Sequence, residues 1–306
     1  MERTLYLLTG PTASGKESAA MRLAERLGGE IVSVDSMKIY RGMDIGTAKA
    51  PAEARRKVRH HMVDVAEPSE TFSVAEYLAG AVEAERKICN RGRFAIFSGG
   101  TPLYIRGLLH GLFDGPAADW EIRRELLDRA EREGNESLHE ELKRLDPEAA
   151  ARIHPNDLKR VTRAIEVARI TGEPISDRQT QLDSLARPAR VAVLRREPDD
   201  LRHRIERRVD RMLEAGLVAE ARALRDRLSR TAREGVGYKE ILGYLDGEGS
   251  LSEARDRICA RTWRMARKQM TWFRNLSPIR WFDVSSNDEA DSVAERVEAF
   301  WKVSDA

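Results

Sequence analysis

Short apolar runs alternate with helical spacing over the first 115 residues of the chain. Leu5-Tyr6-Leu7-Leu8, in a strand-like stretch from Thr4, leads into a glycine-rich turn and then a helical pattern from about Ser18 to Leu27. Ile31-Val32-Ser33-Val34 reads as the next strand. Met62-Val63-Asp64-Val65 is a third candidate, ahead of a helix from about Val74 to Cys89. Phe94-Ala95-Ile96-Phe97 is a fourth, followed by Ser-Gly-Gly-Thr and a helix from about Leu103 to Leu109. Alternation of this kind predicts a parallel sheet covered by helices on both faces.

From about Pro116 the texture changes. Residues 119–171 carry amphipathic helical patterns rich in Glu and Arg, and Val191-Ala192-Val193-Leu194 then returns to the sheet pattern. Further helices are predicted at about 198–215, 217–228, 236–246 and 251–276, with a short strand over Ile279–Val284 and a last helix near 289–301. The predicted organisation is an α/β core formed by 1–115 and 186–306, with a small all-helical insertion at 116–185.

Composition narrows the class. With 306 residues, 41% of them hydrophobic and 34% charged, the chain is globular and rich in charged helix surface. The net charge of +2 is too small to argue for nucleic acid by itself, so that case rests on where the charges sit. Two cysteines, Cys89 and Cys259, outside any C-x-x-C pattern, suggest a reduced, cytoplasmic protein without a disulfide framework or structural zinc. No signal peptide or membrane span is read, and a monomer is expected.

The candidate chemistry lies at the ends of the predicted strands. Gly10-Pro11-Thr12-Ala13-Ser14-Gly15-Lys16 follows the first strand and opens the first helix, the context in which backbone N–H groups and a lysine cradle phosphate. The phosphate-loop pattern continues with Ser or Thr, whose hydroxyl ligates magnesium, but this chain has Glu17. Three readings of Glu17 stand: a carboxylate ligand for magnesium, a group that repels diphosphate, or a first-turn acid facing solvent. Asp35, at the carboxyl end of the second strand, reads equally as a proton acceptor or as the cap of a turn. Thr101, after Gly99 and Gly100, offers either a hydroxyl to a ligand or a helix cap.

Near the other end, Arg257, Arg261, Arg264 and Lys268 fall on one helical face, with Trp263, Trp272 and Phe273 interleaved. Such a face suits an RNA backbone and its bases, or is a solvated helix with its aromatics in the core.

At this point the residues resemble the tRNA dimethylallyltransferase (IPP transferase) family. The resemblance runs nearly end to end and includes GPTASGK at 10–16, IVSVDSMKIYRGMDIGTAK at 31–49, SGGTPLYIRGLLHGL at 98–112, RIERRVDRML at 204–213, GVGYKEILGYLDGE at 235–248 and RKQMTWFRN at 267–275. It implies a P-loop NTPase-like core. It also implies transfer of a dimethylallyl group from dimethylallyl diphosphate to the exocyclic amine of the adenine 3′ to the anticodon, with Mg2+. By the same resemblance Gly10 to Glu17 and Arg208 would hold the diphosphate, and Lys16, Asp35, Thr101 and Arg204 would be catalytic. Asp35 would take the amine's proton. The tRNA anticodon stem-loop would meet Asp35, Ser36, Met37, Lys38, Thr101, Arg123, Lys159, Arg160, Arg163, Lys268, Gln269, Trp272 and Arg274, with the target base flipped out of the loop. The sequence departs from the family's usual pattern at Glu17, at Lys38, where many relatives carry Gln, and at Arg59, where Pro is usual.

Three other readings remain open. A small-molecule P-loop kinase would need the hydroxyl residue after Lys16. An adenylate isopentenyltransferase would not need the insertion or the basic helix. A non-catalytic RNA-binding paralogue would account for Glu17.

Overall fold

The computed structural model of the chain describes residues 3–111, 115–116, 118–179 and 184–302. Leu112, the last residue of the SGGTPLYIRGLLHGL segment, lies outside them. The chain begins with β1 (Leu5–Thr9), α1 (Lys16–Leu27), β2 (Gly29–Val34), α2 (Ala52–Lys57), β3 (His60–His61), α3 (Val74–Asn90), β4 (Phe94–Gly99) and α4 (Pro102–His110). There follow α5 (Trp120–Glu133), α6 (Asn135–Leu145), α7 (Pro147–Arg152), α8 (Leu158–Thr171) and α9 (Ile175–Gln179). After β5 (Ala189–Arg195) come α10 (Pro198–Glu214), α11 (Leu217–Leu224), α12 (Arg230–Arg233), α13 (Tyr238–Leu245), α14 (Leu251–Arg274), β6 (Arg280–Asp283) and α15 (Ala290–Lys302).

The strands form a sheet of order β3-β2-β4-β1-β5-β6, with every neighbouring pair parallel. Because strand side chains alternate between faces, one strand supplies two cores. Leu5, Leu7, Val32, Val34, Phe97, Val191 and Val193 pack with Tyr77 and Ile88 of α3 and Ile105 and Leu109 of α4. Leu8, Ile31, Ile96, Ala192 and Leu194 pack with Leu23 of α1 and with Val297 and Trp301 of α15. Both faces are therefore covered, as the continuous apolar runs predict for a parallel sheet.

The third strand is shorter than the sequence suggests and lies earlier. His60 and His61 pair with Ile31 and Val32, whereas the expected Met62–Val65 run leaves the sheet. The reason is local: Met62 and Asp64 both have φ of 57°, a left-handed conformation that a strand cannot contain. Asp64 is held there by ion pairs from its carboxylate to Lys49 and Arg55, each 2.6 Å long.

Two compact units divide the chain: residues 1–109 with 187–306, and residues 110–186. Within the first, α10, α11, α13 and α14 share a further core built on Ile205, Val209, Leu217, Tyr238, Ile241 and Ile258. The second unit is all-helical among the described residues and packs Leu126, Leu138, Leu142, Val161 and Ile165 together. Among the described residues no helix is long and apolar enough to cross a membrane.

Candidate active site

The sheet order decides which strand ends meet. β4 lies between β2 and β1, and β5 flanks β1 on its other side. In a parallel sheet all carboxyl ends share one edge. Asp35 after β2, Gly99-Gly100-Thr101 at the end of β4, the 10–16 loop after β1 and Arg196 after β5 therefore line one crevice, within the first unit.

The loop is held from outside. Arg204 of α10 donates from Nε to the Ala13 carbonyl, and Arg196 donates from Nε to the Ser14 carbonyl, each at 2.8 Å. Peptide planarity means that fixing the Ser14 carbonyl turns the Gly15 N–H the opposite way. Gly15, with φ of 95°, is the N-cap of α1, so that helix's unpaired N–H groups open onto the loop. Ser14 Oγ is buried without a hydrogen-bond partner among the described residues. A buried donor left unpaired is costly, so this hydroxyl fits a phosphate oxygen.

Lys16 is buried, and its Nζ donates to the Pro11 carbonyl at 3.2 Å. Burial lowers its pKa to about 8, with Lys38 and Arg208 adding to the effect against Glu17 and Asp35. An ammonium held this uncomfortably is stabilised when a phosphate anion arrives.

The second glycine turn closes the crevice. A Cβ on Gly99 would lie 2.1 Å from the Val34 carbonyl oxygen, and one on Gly100 would lie 2.8 Å from Gln269 Nε2 and 3.6 Å from Lys16 Nζ. Gln269 of α14 bridges the two turns: Thr12 N–H donates to its Oε1 at 2.9 Å, and its Nε2 donates to the Gly100 carbonyl at 2.7 Å. Gln269→Ala should cost about 1–3 kcal/mol of folding stability, because a partly buried N–H and carbonyl both lose their partner. Equilibrium urea unfolding reads this directly; an unchanged midpoint would show the bridge to be dispensable.

Of the two readings the sequence left open for Asp35, the turn contact is seen directly. Its Oδ1 accepts from the N–H groups of Met37 (2.8 Å) and Lys38 (3.2 Å), so it organises the turn. Its second oxygen, Oδ2, has no hydrogen bond among the described residues. Thr101 Oγ1 accepts from the Ser36 N–H at 3.0 Å and ties the two turns together. Tyr77 and Tyr104 stack below with centroids 3.7 Å apart, and the Tyr77 hydroxyl donates to the Ser33 carbonyl. Burial pushes both phenol pKa values up and keeps both hydroxyls protonated.

At the position after Lys16, Glu17 forms an ion pair with Lys38 at 2.7 Å. Burial alone would raise the Glu17 carboxyl pKa, but the ammonium groups of Lys38 and Lys16 outweigh it and hold the carboxyl below its usual range. His60 lies in the field of both charges; burial lowers its pKa, and its Nδ1 pairs with the Val58 carbonyl at 2.8 Å. As arranged, Glu17 is a poor magnesium ligand, since the Lys38 ammonium pairs with its Oε1 and repels a second cation.

Comparison with known proteins decides what this crevice belongs to. Residues 38–276 match the family model described as IPP transferase. A tRNA dimethylallyltransferase of Geobacter metallireducens is 46% identical over 302 residues, covering 97% of each chain. The solved tRNA isopentenylpyrophosphate transferase of Bacillus halodurans is 40% identical, covers 98% of both chains and superposes with a TM-score of 0.69. A solved eukaryotic dimethylallyltransferase acting on tRNA is 26% identical and gives a TM-score of 0.82 over 96% of this chain and 77% of its own. The chain belongs to the IPP transferase family.

Within this IPP transferase, the residues expected at tRNA fall into three groups. Ser36, Met37, Lys38 and Gln269 stand in the crevice with Asp35 and Thr101, but Lys38 and Gln269 have their side chains engaged by Glu17 and by the two turns. Lys268 and Arg274 are exposed on α14, whereas Trp272 is half-buried against the sheet core and edge-on to Phe273. The expected basic face is only partly free: Arg261 pairs with Glu240 at 2.9 Å and Arg257 donates to the Glu248 carbonyl. Among the described residues Arg264, Arg267 and Lys268 have no ion-pair partner.

Arg123, Lys159, Arg160 and Arg163 belong to the second unit. There Arg123 and Arg163 both clasp the fully buried Glu166 (2.9 and 2.6 Å), and Arg123 lies over the exposed Trp120 ring. Lys159 and Arg160 are exposed. Arg208 is partly buried; burial lowers its pKa while the Asp35 and Glu17 carboxylates work to raise it. The sequence reading missed Arg196. Its one sequence signal was its place just past the strand that pairs with β1.

Proposed function

We propose that this IPP transferase moves a dimethylallyl group from dimethylallyl diphosphate to the exocyclic amine of the adenine 3′ to the anticodon in tRNA, releasing diphosphate. The observation that carries this reading is the placement of a phosphate loop and Asp35 at one edge of the sheet, separated by the Gly99-Gly100-Thr101 turn. Lys16, the Gly15 N–H, Ser14 Oγ, Arg204 and Arg208 bind the diphosphate and stabilise charge as the allylic C–O bond breaks. The amine nitrogen forms the new C–N bond, and its proton passes to Asp35. Thr101 holds the Ser36 N–H beside the reacting centre. The magnesium ion implied by the family resemblance would arrive with the diphosphate and is not assigned to Glu17.

For the tRNA, Lys268 and Arg274 on α14 and Lys159 and Arg160 on the second unit supply exposed cations for the phosphate backbone. Of the two arginines on the buried Glu166, Arg123 ties α5 to α8, while the Arg163 pair lies within α8.

The test mixes the protein with magnesium, dimethylallyl diphosphate and unmodified tRNA with adenines 3′ to its anticodon, then digests the RNA for mass spectrometry. Prenylated adenosine supports the reading. tRNA binding without product would leave an RNA-binding paralogue, and neither would return the small-molecule readings. Lys268→Ala should weaken tRNA binding and reduce the slope of log K against log salt by about 0.7–0.9, the contribution of one phosphate. An unchanged slope would remove Lys268 from the interface.

A further inference from the structure

The Glu17–Lys38 pair is asymmetric. The Lys38 side chain is 6% exposed and the Glu17 side chain 38%. The carboxylate is thus partly solvated, while the ammonium is buried in the wall of the crevice. An ammonium has three N–H donors. Glu17 is the one ion-pair partner of Lys38 Nζ among the described residues, which leaves the ammonium with donors for a ligand. A largely buried cation of this kind suits a second anion.

The surroundings identify that anion by charge. Lys38 and Arg208 both act on the Lys16 ammonium, so the three cations share one field. Arg204 reaches the same loop through the Ala13 carbonyl. Against Lys16, Lys38, Arg196, Arg204 and Arg208 the crevice sets Glu17, Asp35 and Asp200. The excess of positive charge suits a diphosphate. The Lys38 backbone N–H is bound to Asp35 Oδ1, so its side chain springs from the turn that faces the loop.

We propose that Lys38 is a diphosphate ligand positioned by Glu17, and that the pair stands in for the hydroxyl that a phosphate loop ordinarily uses to hold magnesium. The two departures from the usual pattern then form a single exchange, in which a fixed ammonium replaces a bound ion as the contact at this corner of the loop. Removing Glu17 alone leaves Lys38 buried without its acid; removing Lys38 alone leaves Glu17 facing the diphosphate. Only the double change is balanced. This proposal deepens the donor-binding part of the reading above and rests on it.

Titration calorimetry with inorganic diphosphate, in EDTA and in magnesium, tests it without tRNA or turnover. The native chain should bind in EDTA. Lys38→Gln should bind about 10- to 100-fold more weakly in EDTA, the usual range for losing a hydrogen bond between charged groups. The Glu17→Thr/Lys38→Gln double variant, whose neutral pair also controls for folding, should bind more weakly than the native chain in EDTA and regain affinity when magnesium is added. Native binding that requires magnesium would overturn the inference and leave the prenyl-transfer reading intact. So would a double variant that binds in EDTA as the native chain does. A native chain that binds diphosphate under neither condition would overturn both.

Discussion

An Asp35→Asn chain should transfer the prenyl group about 10²- to 10⁴-fold more slowly than the native chain, the range for losing a general base, while binding tRNA with nearly native affinity. Asparagine is the informative replacement because it separates the turn contact of Asp35 from the proposed proton transfer. Its Oδ1 accepts from the Met37 and Lys38 N–H groups, and an amide oxygen can do the same. The turn therefore survives, with Lys38 still reaching Glu17. What the amide cannot do is take a proton. Single-turnover rates and equilibrium tRNA binding, measured on one preparation, separate the two functions. Equal losses in rate and affinity would make Asp35 a part of the turn and nothing more.

Donor capture should fail as the pH rises past Lys16. In the free crevice this lysine has a pKa of about 8, lowered first by burial. Below that value the ammonium is present and meets the diphosphate. Above it the free Lys16 is neutral, and binding must first return its proton. The affinity for diphosphate should then fall about tenfold for each further pH unit, as one proton is linked to binding. Lys16→Met should lower the affinity about 10- to 100-fold at pH 7 and abolish this arm of the profile. An arm that persists in Lys16→Met would belong to another group.

The two faces of the sheet were legible because each strand carries its own alternation: Leu5 and Leu7 on one side, Leu8 on the other. The phosphate loop and Asp35 were legible because their chemistry depends on short spacing next to a strand. The third strand was misplaced because Met62 and Asp64 take left-handed conformations, and the ion pairs from Lys49 and Arg55 that hold Asp64 show in no local pattern. The same holds for partners distant in sequence. Arg261 looked like part of an RNA-facing stripe until Glu240 was placed beside it. The DIGTAK segment resembled the family without explaining itself; in the structure Glu220 accepts from the N–H groups of Asp44, Ile45 and Gly46 and from the Tyr238 hydroxyl. Glu17 and Lys38 each stood out as a departure, but only the fold shows them to be one pair.

The crevice has one wall that evolution can edit and one that it cannot. At Gly99 and Gly100 even a methyl group would collide with backbone or with the Gln269 bridge, so no sequence drift there can retune the site. At the rim formed by Glu17 and Lys38 the contact is made by two side chains, one of them partly open to water. Lineages of this enzyme should therefore diversify donor handling through paired changes at that rim. An isolated change at either position should be a short-lived intermediate.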